Sequence, residues 1–481
     1  MALSREQIVE GLMGILESEQ VIIDEKVLKE SSIDRYRKYE QVNEVYTQPI
    51  PAAVVYVEST EQVKNVLTFA NENKINVVPR TGQSAIEGGL ETALENSIVV
   101  DGSMMNKVIK VDKYNMQVTC QCGVPLQELD DMLREQGYTT GHSPQSKPLA
   151  QLGGLVATRS IGQFSTLYGG IEDMVVGLEA VFPNGEICRI KNIPRRAAGP
   201  DIRHIIIGNE GALCYITEVT LKLFKYQPEN NIFLGYKIND MKKGFEALRA
   251  VMVEGYKPSI ARLYDTADAG LHFDWSGDDN VLIFMAEGPE AITKATAEGI
   301  NHIIKSQFPE CEQVDSAIIS KWFDGLNWGP EEIAEEREEI LATKNIGITT
   351  EVSGCWDCIY DIYKTACDRI IEEVPDMTLM GGHSSHSYMN GTNMYFVYYY
   401  NIVDCTPEEE INKYHDRINQ IICEQVIKFG GSIVHHHGLG KARAKYVWEE
   451  YGSSFYMLET LKKAFDPNGI MNMGTLIPLK K

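Results

Sequence analysis

Three glycine-rich loops, each beside a segment typical of a β-strand, constrain the fold of this chain more than any other feature. They read VVPRTGQSAIEGG at 77–89, GGLVATRSIGQFSTLYGG at 153–170 and GPDIRHIIIGNEGALCYITEVT at 199–220. Glycine lets backbone lie close to a flat ligand, and such loops can turn several N–H groups toward a pyrophosphate. The first loop is neither G-x-G-x-x-G nor a P-loop, so taken alone it is also compatible with a plain surface turn.

The first loop follows a strand–helix–strand pattern. Residues 52–58 predict a strand, and Ser59 with Gln62 predicts a capping box at the start of the next helix. Two more strands are predicted at 75–80 and 97–102. The region is therefore expected to form an α/β unit.

Turn and cap residues place further elements along the chain. A helix is predicted from Pro125 at its first position to a cap at Gly137. Pro183-Asn184-Gly185 predicts a hairpin across 174–190. The composition changes at 225–231, which indicates a domain boundary.

Bulk properties exclude several classes of protein. The 481 residues predict two or three compact units, and 45 basic against 68 acidic residues give a formal charge of −23, which disfavours nucleic acid and anionic membranes as partners. The N-terminus predicts an amphipathic helix capped by Ser4, too polar for a signal peptide, and no window is apolar enough to span a membrane. We expect a cytoplasmic protein whose ten cysteines are reduced thiols.

The three loops, in this order, resemble the FAD-binding domain of the vanillyl-alcohol-oxidase (PCMH-type) flavoproteins. The segments RRAAGPD at 195–201 and HHHG at 435–438 make the chain most similar to the alkyldihydroxyacetonephosphate-synthase-like branch, and within it to bacterial FAD-linked oxidoreductases of undefined substrate. The resemblance runs from about residue 45 to the end, and it is specific because several motifs agree in order.

The resemblance implies an α+β fold. A PCMH-type FAD-binding domain of two α/β subdomains is expected at 46–228, after an N-terminal helical segment at 1–45. A substrate cap domain with an antiparallel sheet is expected at 229–425, and a C-terminal segment at 426–481 is expected to return to the flavin.

The cofactor implied is FAD, and it is expected to be non-covalent because the 79–89 loop has no His or Cys to tether it. By similarity, the first loop would hold the pyrophosphate, the second would run along the flavin, and the third would bracket the adenosine or the ring. The residues concerned are Pro79, Arg80, Thr81, Gly82, Gln83 and Ser84; Gly153, Gly154, Thr158, Ser160 and Gly162; and Glu210, Gly211 and Ile216. Arg159 stands where many relatives have Asn, and either a phosphate contact or a structural ion pair is open for it.

The run His435, His436 and His437 coincides with a family active-site motif. In an extended segment His435 and His437 would face one way and His436 the other, so at least one imidazole is expected in the cavity. Its ordinary pKa near neutrality suits proton transfer, although hydrogen-bonded core histidines are the alternative.

A metal site is the second interpretation of these histidines. Lactate- and glycolate-dehydrogenase-like relatives read G-E-H-G at the comparable place and bind a divalent metal there. The matching signature is broken here at GHSSHSYMNGTNMYF. We therefore predict no metal, with His383, His386 and His436 as the alternative ligand set.

Two further candidates lie in the expected cap. Arg262, in PSIARLYD, resembles an arginine that contacts acidic groups of the substrate in the synthases, although an ion pair with Asp265 is open. Tyr395, in the aromatic strand 393–401, corresponds to a family tyrosine near the flavin, and the other aromatic residues there are expected to pack in the core or an interface.

The leading functional prediction is an FAD-dependent dehydrogenase of a hydroxy acid or anionic polyol. A histidine takes the hydroxyl proton, hydride passes to FAD, and a separate carrier such as an electron-transfer flavoprotein or quinone accepts the electrons. The alternatives are a synthase-like transferase without net redox and a non-catalytic flavoprotein subunit of a larger complex. A homodimer is expected.

Overall fold

The computed structural model describes residues 3–479, and it divides them among several sheets. The N-terminal region and first subdomain contain α1 (Arg5–Met13), β1 (Val21–Ile22), α2 (Glu25–Glu30), α3 (Lys38–Val42), β2 (Ala53–Tyr56), α4 (Thr60–Asn73), β3 (Val77–Arg80) and β4 (Ile98–Asp101). These strands form a four-stranded sheet in the order β1-β2-β4-β3, in which β2, β4 and β3 run parallel. The predicted α/β unit is therefore present.

A five-stranded antiparallel sheet forms the second subdomain, in the order β5-β6-β10-β8-β9. Its region contains β5 (Val108–Asp112), β6 (Gln117–Gln121), α5 (Leu126–Arg134), β7 (Tyr138–Thr139), α6 (Leu152–Ala157), α7 (Ser165–Tyr168), α8 (Ile171–Met174), β8 (Val175–Val181), β9 (Ile187–Ile190), α9 (Arg203–Ile206), β10 (Tyr215–Lys222) and β11 (Phe224–Lys225). The predicted hairpin is the β8–β9 pair.

The cap is built on a seven-stranded antiparallel sheet in the order β15-β12-β14-β13-β17-β18-β16. Its elements are β12 (Ile232–Ile238), α10 (Met241–Val253), β13 (Ile260–Tyr264), α11 (Thr266–His272), β14 (Asn280–Ala286), α12 (Glu290–Gln307), β15 (Glu312–Val314), α13 (Ser316–Asp324), α14 (Pro330–Thr343), β16 (Asn345–Cys355), α15 (Ile359–Glu373), β17 (Met377–Ser384), β18 (Gly391–Asn401), α16 (Pro407–Glu410) and α17 (Asp416–Phe429). A π-helical turn, Ile411–His415, joins α16 to α17.

The C-terminal segment packs on the first subdomain. It contains α18 (Val447–Tyr451) and α19 (Phe455–Phe465). After α19, Val77 donates to the carbonyl of Ile470 at 2.8 Å, and Asn472 donates to the carbonyl of Val77 at 2.8 Å. Residues 470–472 thus extend the edge of the sheet beside β3.

The caps that the sequence predicted form with small differences. Ser4 Oγ accepts from the backbone N–H of Gln7, and Ser59 Oγ accepts from that of Gln62. The Gln62 side chain reaches the N–H of Glu58 at 2.7 Å rather than that of Ser59, so only half of the second capping box is present. None of the described helices is both long and apolar enough to cross a membrane.

Candidate active site

A cavity of about 630 Å³ lies between the flavin-domain loops and the cap sheet. The 79–89 loop, the start of α6 and the 210–216 segment line one side. Side chains of β13, β17 and β18, together with His436 and His437 of the histidine run, line the other. All three glycine-rich loops and both predicted cap residues therefore meet at one place.

The first loop offers unused hydrogen-bond donors to this cavity. Across residues 3–479, no backbone N–H of residues 81–86 donates to another protein group. Thr81 Oγ1 is buried without a partner, and Gln83 adopts a left-handed backbone with φ of 54°. Such a row of free N–H groups suits an anionic diphosphate. The Arg80 guanidinium is held by Asp101 at 2.7 Å and Ser31 at 2.8 Å, so it is engaged within the protein.

Glycines of the second loop are required by close packing of the protein itself. A Cβ on Gly153 would lie 2.7 Å from the Cβ of Cys122, and one on Gly162 would lie 2.5 Å from the backbone nitrogen of Ser143. A Cβ on Gly154 would lie 2.9 Å from Thr81 Oγ1, which brings the first two loops together. Thr158 and Ser160 also line the cavity.

The third loop ties the flavin domain to the C-terminal segment. The Glu210 carboxylate accepts the backbone N–H groups of Leu439 at 2.9 Å and Gly440 at 2.7 Å. Burial raises the pKa of Glu210 to about 7. Gly211 has a φ of 73°, a Cβ there would meet Pro79 at 2.8 Å, and Ile216 is a buried lining residue. Free N–H groups and glycine contacts together fit a dinucleotide such as FAD.

The histidine run is wrapped around one buried carboxylate. Glu351 on β16 accepts the backbone N–H groups of His435, His436 and His437 at 2.5, 3.3 and 2.8 Å. The predicted alternation of side chains is therefore wrong, because the chain curls around Glu351 instead of extending. His436 Nε2 and His437 Nε2 both approach Tyr395 Oη, at 2.5 and 3.3 Å.

His435 and His436 have both ring nitrogens engaged. His435 Nε2 lies 2.7 Å from Tyr388 Oη, and its Nδ1 lies 2.8 Å from His436 Nδ1. Burial lowers the pKa of His435 to about 3 and that of His436 well below its ordinary value. Both imidazoles are therefore neutral at pH 7. Burial also holds the pKa of Tyr395 well above its ordinary value, so the phenol keeps its proton.

A buried ion cluster beneath the run was not predicted from the sequence. Arg443 Nη2 lies 2.7 Å from Glu87, and Nη1 donates to the carbonyls of Ile433 and Glu351 at 2.7 and 2.9 Å. His437 Nδ1 lies 3.5 Å from Glu87 Oε1. The only sequence signal was one charged residue, Glu351, inside the strand-like run ITTEVSG.

Arg262 is a buried cation that faces the cavity without a carboxylate partner among the described residues. Its Nη1 donates to Tyr264 Oη at 2.5 Å, its Nη2 approaches Gln163 Oε1 at 3.4 Å, and its Nε has no partner. The alternative ion pair with Asp265 is not formed, because Asp265 caps α11 and accepts from Tyr363. A buried guanidinium of this kind suits a ligand carboxylate or phosphate.

The two histidines of the 381–391 segment have different hydrogen-bond partners. His383 Nδ1 lies 2.5 Å from Asp268 Oδ2, whereas His386 Nδ1 lies 2.9 Å from Ser165 Oγ. One nitrogen each of His386, His435 and His436 lie within 4.8 Å of one another. The three histidines close enough to share a metal ion are therefore His386, His435 and His436, with His435 in place of the His383 that the sequence suggested.

Arg159 forms an ion pair, which is one of the two roles left open for it. Its Nε lies 3.2 Å from Glu172 Oε1, its side chain is 58% exposed, and its φ is 57°. The contact is therefore a surface ion pair within the flavin domain.

Comparison with known proteins agrees with this architecture. Residues 51–191 match the FAD binding domain model, and residues 227–476 match that of the FAD linked oxidases, C-terminal domain. An FAD-linked oxidoreductase of Escherichia coli (strain K12), YgcU, is 64% identical over 485 residues, covering 100% of both chains. The mitochondrial D-lactate dehydrogenase [cytochrome] of Arabidopsis thaliana is 27% identical over 441 residues, covering 89% of this chain and 74% of its own.

Two solved structures share the fold. An alkyldihydroxyacetonephosphate synthase superposes with a TM-score of 0.81 at 22% identity, covering 100% of this chain and 89% of its own. A p-cresol methylhydroxylase with substrate bound superposes with a TM-score of 0.77 at 17% identity, covering 99% of this chain and 97% of its own. These likenesses confirm the predicted PCMH-type fold.

Proposed function

The chain belongs to the FAD-linked oxidases, and on that premise we propose that it is a dehydrogenase of hydroxy acids or related anionic polyols. Arg262 is the observation on which this proposal rests. It is a buried cation at the cavity, and none of the described carboxylates is its ion-pair partner. The relative named a D-lactate dehydrogenase supports a hydroxy acid as the substrate class.

The proposed cofactor site uses backbone more than side chains. The N–H groups of residues 81–86 hold the diphosphate, and Gly153, Gly154 and Gly162 let the second loop pack closely beside it. Bound FAD supplies a hydride acceptor for the substrate carbon. Attachment is non-covalent, which acid precipitation tests: the yellow colour is expected in the supernatant and not in the protein pellet.

The protein residues bind, orient and deprotonate the substrate. Arg262 holds the anionic group in a charge-assisted contact. Tyr395, whose hydroxyl is held by His436 and His437, lines the cavity beside the substrate. A histidine at the cavity accepts the hydroxyl proton as the carbon is oxidised.

The test is the visible absorbance of the anaerobic holoenzyme with D-lactate, sugar acids and phosphorylated polyols added singly. One compound is expected to bleach the flavin, and Arg262→Gln is expected to bind that compound at least ten-fold more weakly. Arg249→Gln is the matched control, since Arg249 is exposed on α10. Unchanged bleaching in Arg262→Gln would contradict the assignment of the anion site.

A transferase without net redox is the second candidate. The likeness to an alkyldihydroxyacetonephosphate synthase and the HHHG segment favour it. In this case dihydroxyacetone-phosphate esters shift the flavin spectrum without bleaching, and the panel of hydroxy acids leaves the flavin oxidised.

We further propose a cytoplasmic homodimer that passes electrons to an electron-transfer flavoprotein or a quinone. Ten free cysteines support a reducing compartment. The exposed Trp448, Tyr451, Tyr456 and Met457 of the C-terminal segment support self-association. Light scattering of the holoenzyme measures the mass, and a monomer at micromolar concentration would contradict the dimer.

A further inference from the structure

His383 has a different environment from the three histidines of the run. It lies on β17, and its ring packs between those of Tyr264 and Tyr395, with centroids 4.9 and 4.8 Å away. Its side chain is 14% exposed and lines the cavity. Two aromatic contacts therefore fix the plane of the ring at the edge of the space that a substrate enters.

Asp268 fixes the tautomer of His383. The distance from His383 Nδ1 to Asp268 Oδ2 is 2.5 Å, and the Asp268 side chain is 1% exposed. Burial alone would raise the pKa of Asp268, but His383 and His272 beside it hold that pKa well below its usual range. Burial lowers the pKa of His383, so the ionised carboxylate accepts the Nδ1–H of a neutral imidazole.

That tautomer leaves the Nε2 lone pair of His383 available. Among the described residues, no protein group hydrogen-bonds this nitrogen. His435 and His436, in contrast, use both ring nitrogens on protein partners. His383 is thus an accessible base backed by a buried carboxylate, the arrangement in which a histidine accepts a proton efficiently.

The anion site and this histidine share one neighbour. Tyr264 receives the Arg262 Nη1 hydrogen bond through its hydroxyl, and its ring packs against His383. A short hydroxy acid held through its carboxylate at Arg262 would therefore lie near the ring of His383.

We propose that His383 is the catalytic base, with Asp268 as its positioning residue. The inference rests on the proposed dehydrogenase function. The substrate O–H proton would pass to His383 Nε2, and the O–H electron pair would form the new carbonyl π bond. The hydrogen of the C–H bond would depart with both bonding electrons as hydride, for which bound FAD would supply the acceptor. The product is a keto acid, and the imidazolium formed is paired with the Asp268 carboxylate.

The first measurement is proton NMR of the holoenzyme without substrate. A strong Nδ1–H hydrogen bond to a carboxylate gives a far-downfield resonance. We expect this resonance to be lost in His383→Gln and in Asp268→Asn, and kept in His302→Gln, which removes an exposed histidine of α12. A downfield signal that survives in either of the first two variants would overturn the dyad.

The second measurement is the rate of flavin bleaching by the compound that bleaches the wild type. His383→Ala is expected to be slower by about 10²- to 10⁴-fold, the usual contribution of a general base, with partial recovery in added imidazole. Bleaching at the wild-type rate in His383→Ala would refute its role. If the resonance behaves as expected and nothing bleaches the wild type, then the dehydrogenase proposal fails, and the catalytic role with it, while the dyad stands.

Discussion

One carboxylate, that of Glu351, organises three consecutive backbone N–H groups. The residue is fully buried, and Arg443 lies 3.7 Å from its Oε1, so the charge has a counter-ion as well as donors. Buried charges are stable only when paired and hydrogen-bonded, and here both conditions are met. The orientation of His435, His436 and His437 therefore depends on a residue that is not itself expected to touch substrate.

Glu351→Gln tests this dependence. An amide cannot replace a carboxylate that accepts three N–H groups, so we expect the free energy of unfolding to fall by about 1.5–3 kcal/mol. Urea unfolding measures the loss, and Glu246→Gln on the exposed face of α10 is the control. Equal stability of the two variants would mean that the run is held by other contacts.

Cross-strand register sets the relative positions of three side chains of the candidate site. Tyr395 on β18 pairs with His383 on β17 on one side and with Glu351 on β16 on the other. Because side chains alternate along a strand, a slip of one residue in any of these strands would turn its side chain to the opposite face. The pairing of β16, β18 and β17 is therefore a determinant of the site.

Gly382→Ala tests the importance of that pairing. A Cβ on Gly382 would lie 2.0 Å from the backbone oxygen of Tyr395, so β17 must move away from β18. We expect a lower melting temperature and loss of the downfield resonance of His383. Gly270→Ala in α11 is the matched control, since a Cβ there meets nothing within 4 Å and alanine favours a helix by about 0.5–1 kcal/mol.

The contact between Glu210 and the 439–440 backbone predicts a pH-dependent link between two segments. Burial raises the pKa of Glu210 to about 7 from an ordinary value of 4.5. The folded protein thus binds a proton that the unfolded chain lacks. The contribution of Glu210 to stability is full below pH 4.5 and is lost as pH rises through 7.

Unfolding of Glu210→Gln and wild type in urea between pH 4.5 and 7.5 measures this contribution. The stability of wild type relative to Glu210→Gln is expected to fall by about 1–3 kcal/mol across that range. Glu298→Gln, exposed on α12, should show no such trend relative to wild type. A constant difference between wild type and Glu210→Gln would contradict the raised pKa.

The sequence predicted elements and loops better than the geometry of the site. Loop order, the Pro183–Gly185 hairpin and the cap sheet follow from local patterns and a family resemblance. The curl of residues 435–437 does not, because it depends on Glu351, which is 84 residues away from His435. The Asp268–His383 contact likewise joins residues 115 positions apart, and no local pattern encodes such a pair.

The C-terminal segment returns to the first subdomain and packs in its core. Met471 is fully buried in the core of the first subdomain and pairs with Val77. Lys441 donates to Asn472 Oδ1 at 2.7 Å and to the carbonyl of Gly89 at 3.4 Å, which ties the segment to the 77–89 loop. The C-terminal segment therefore holds a loop that lines the cavity.

Met471→Ala is expected to lower the free energy of unfolding by about 2–5 kcal/mol, the usual cost of truncating a buried methionine. Release of FAD during dialysis should be faster, since the segment supports the 77–89 loop. Met457→Ala, at a methionine that is 65% exposed, is the control for both measurements. If Met471→Ala were destabilised but released FAD at the wild-type rate, then packing of this segment would not contribute to cofactor retention.

The loop from His435 to Gly440 is hydrogen-bonded at one end to Glu351 of the cap and at the other to Glu210 of the flavin domain. The conformation of this loop therefore depends on both the cap and the flavin domain. If the cap moved away from the flavin domain, the loop would lose its hydrogen bonds to Glu351 or to Glu210, and the imidazoles would no longer be held in position. We therefore expect a molecule whose cap is not docked to lack an ordered histidine run, and to be inactive toward substrate even when it carries flavin.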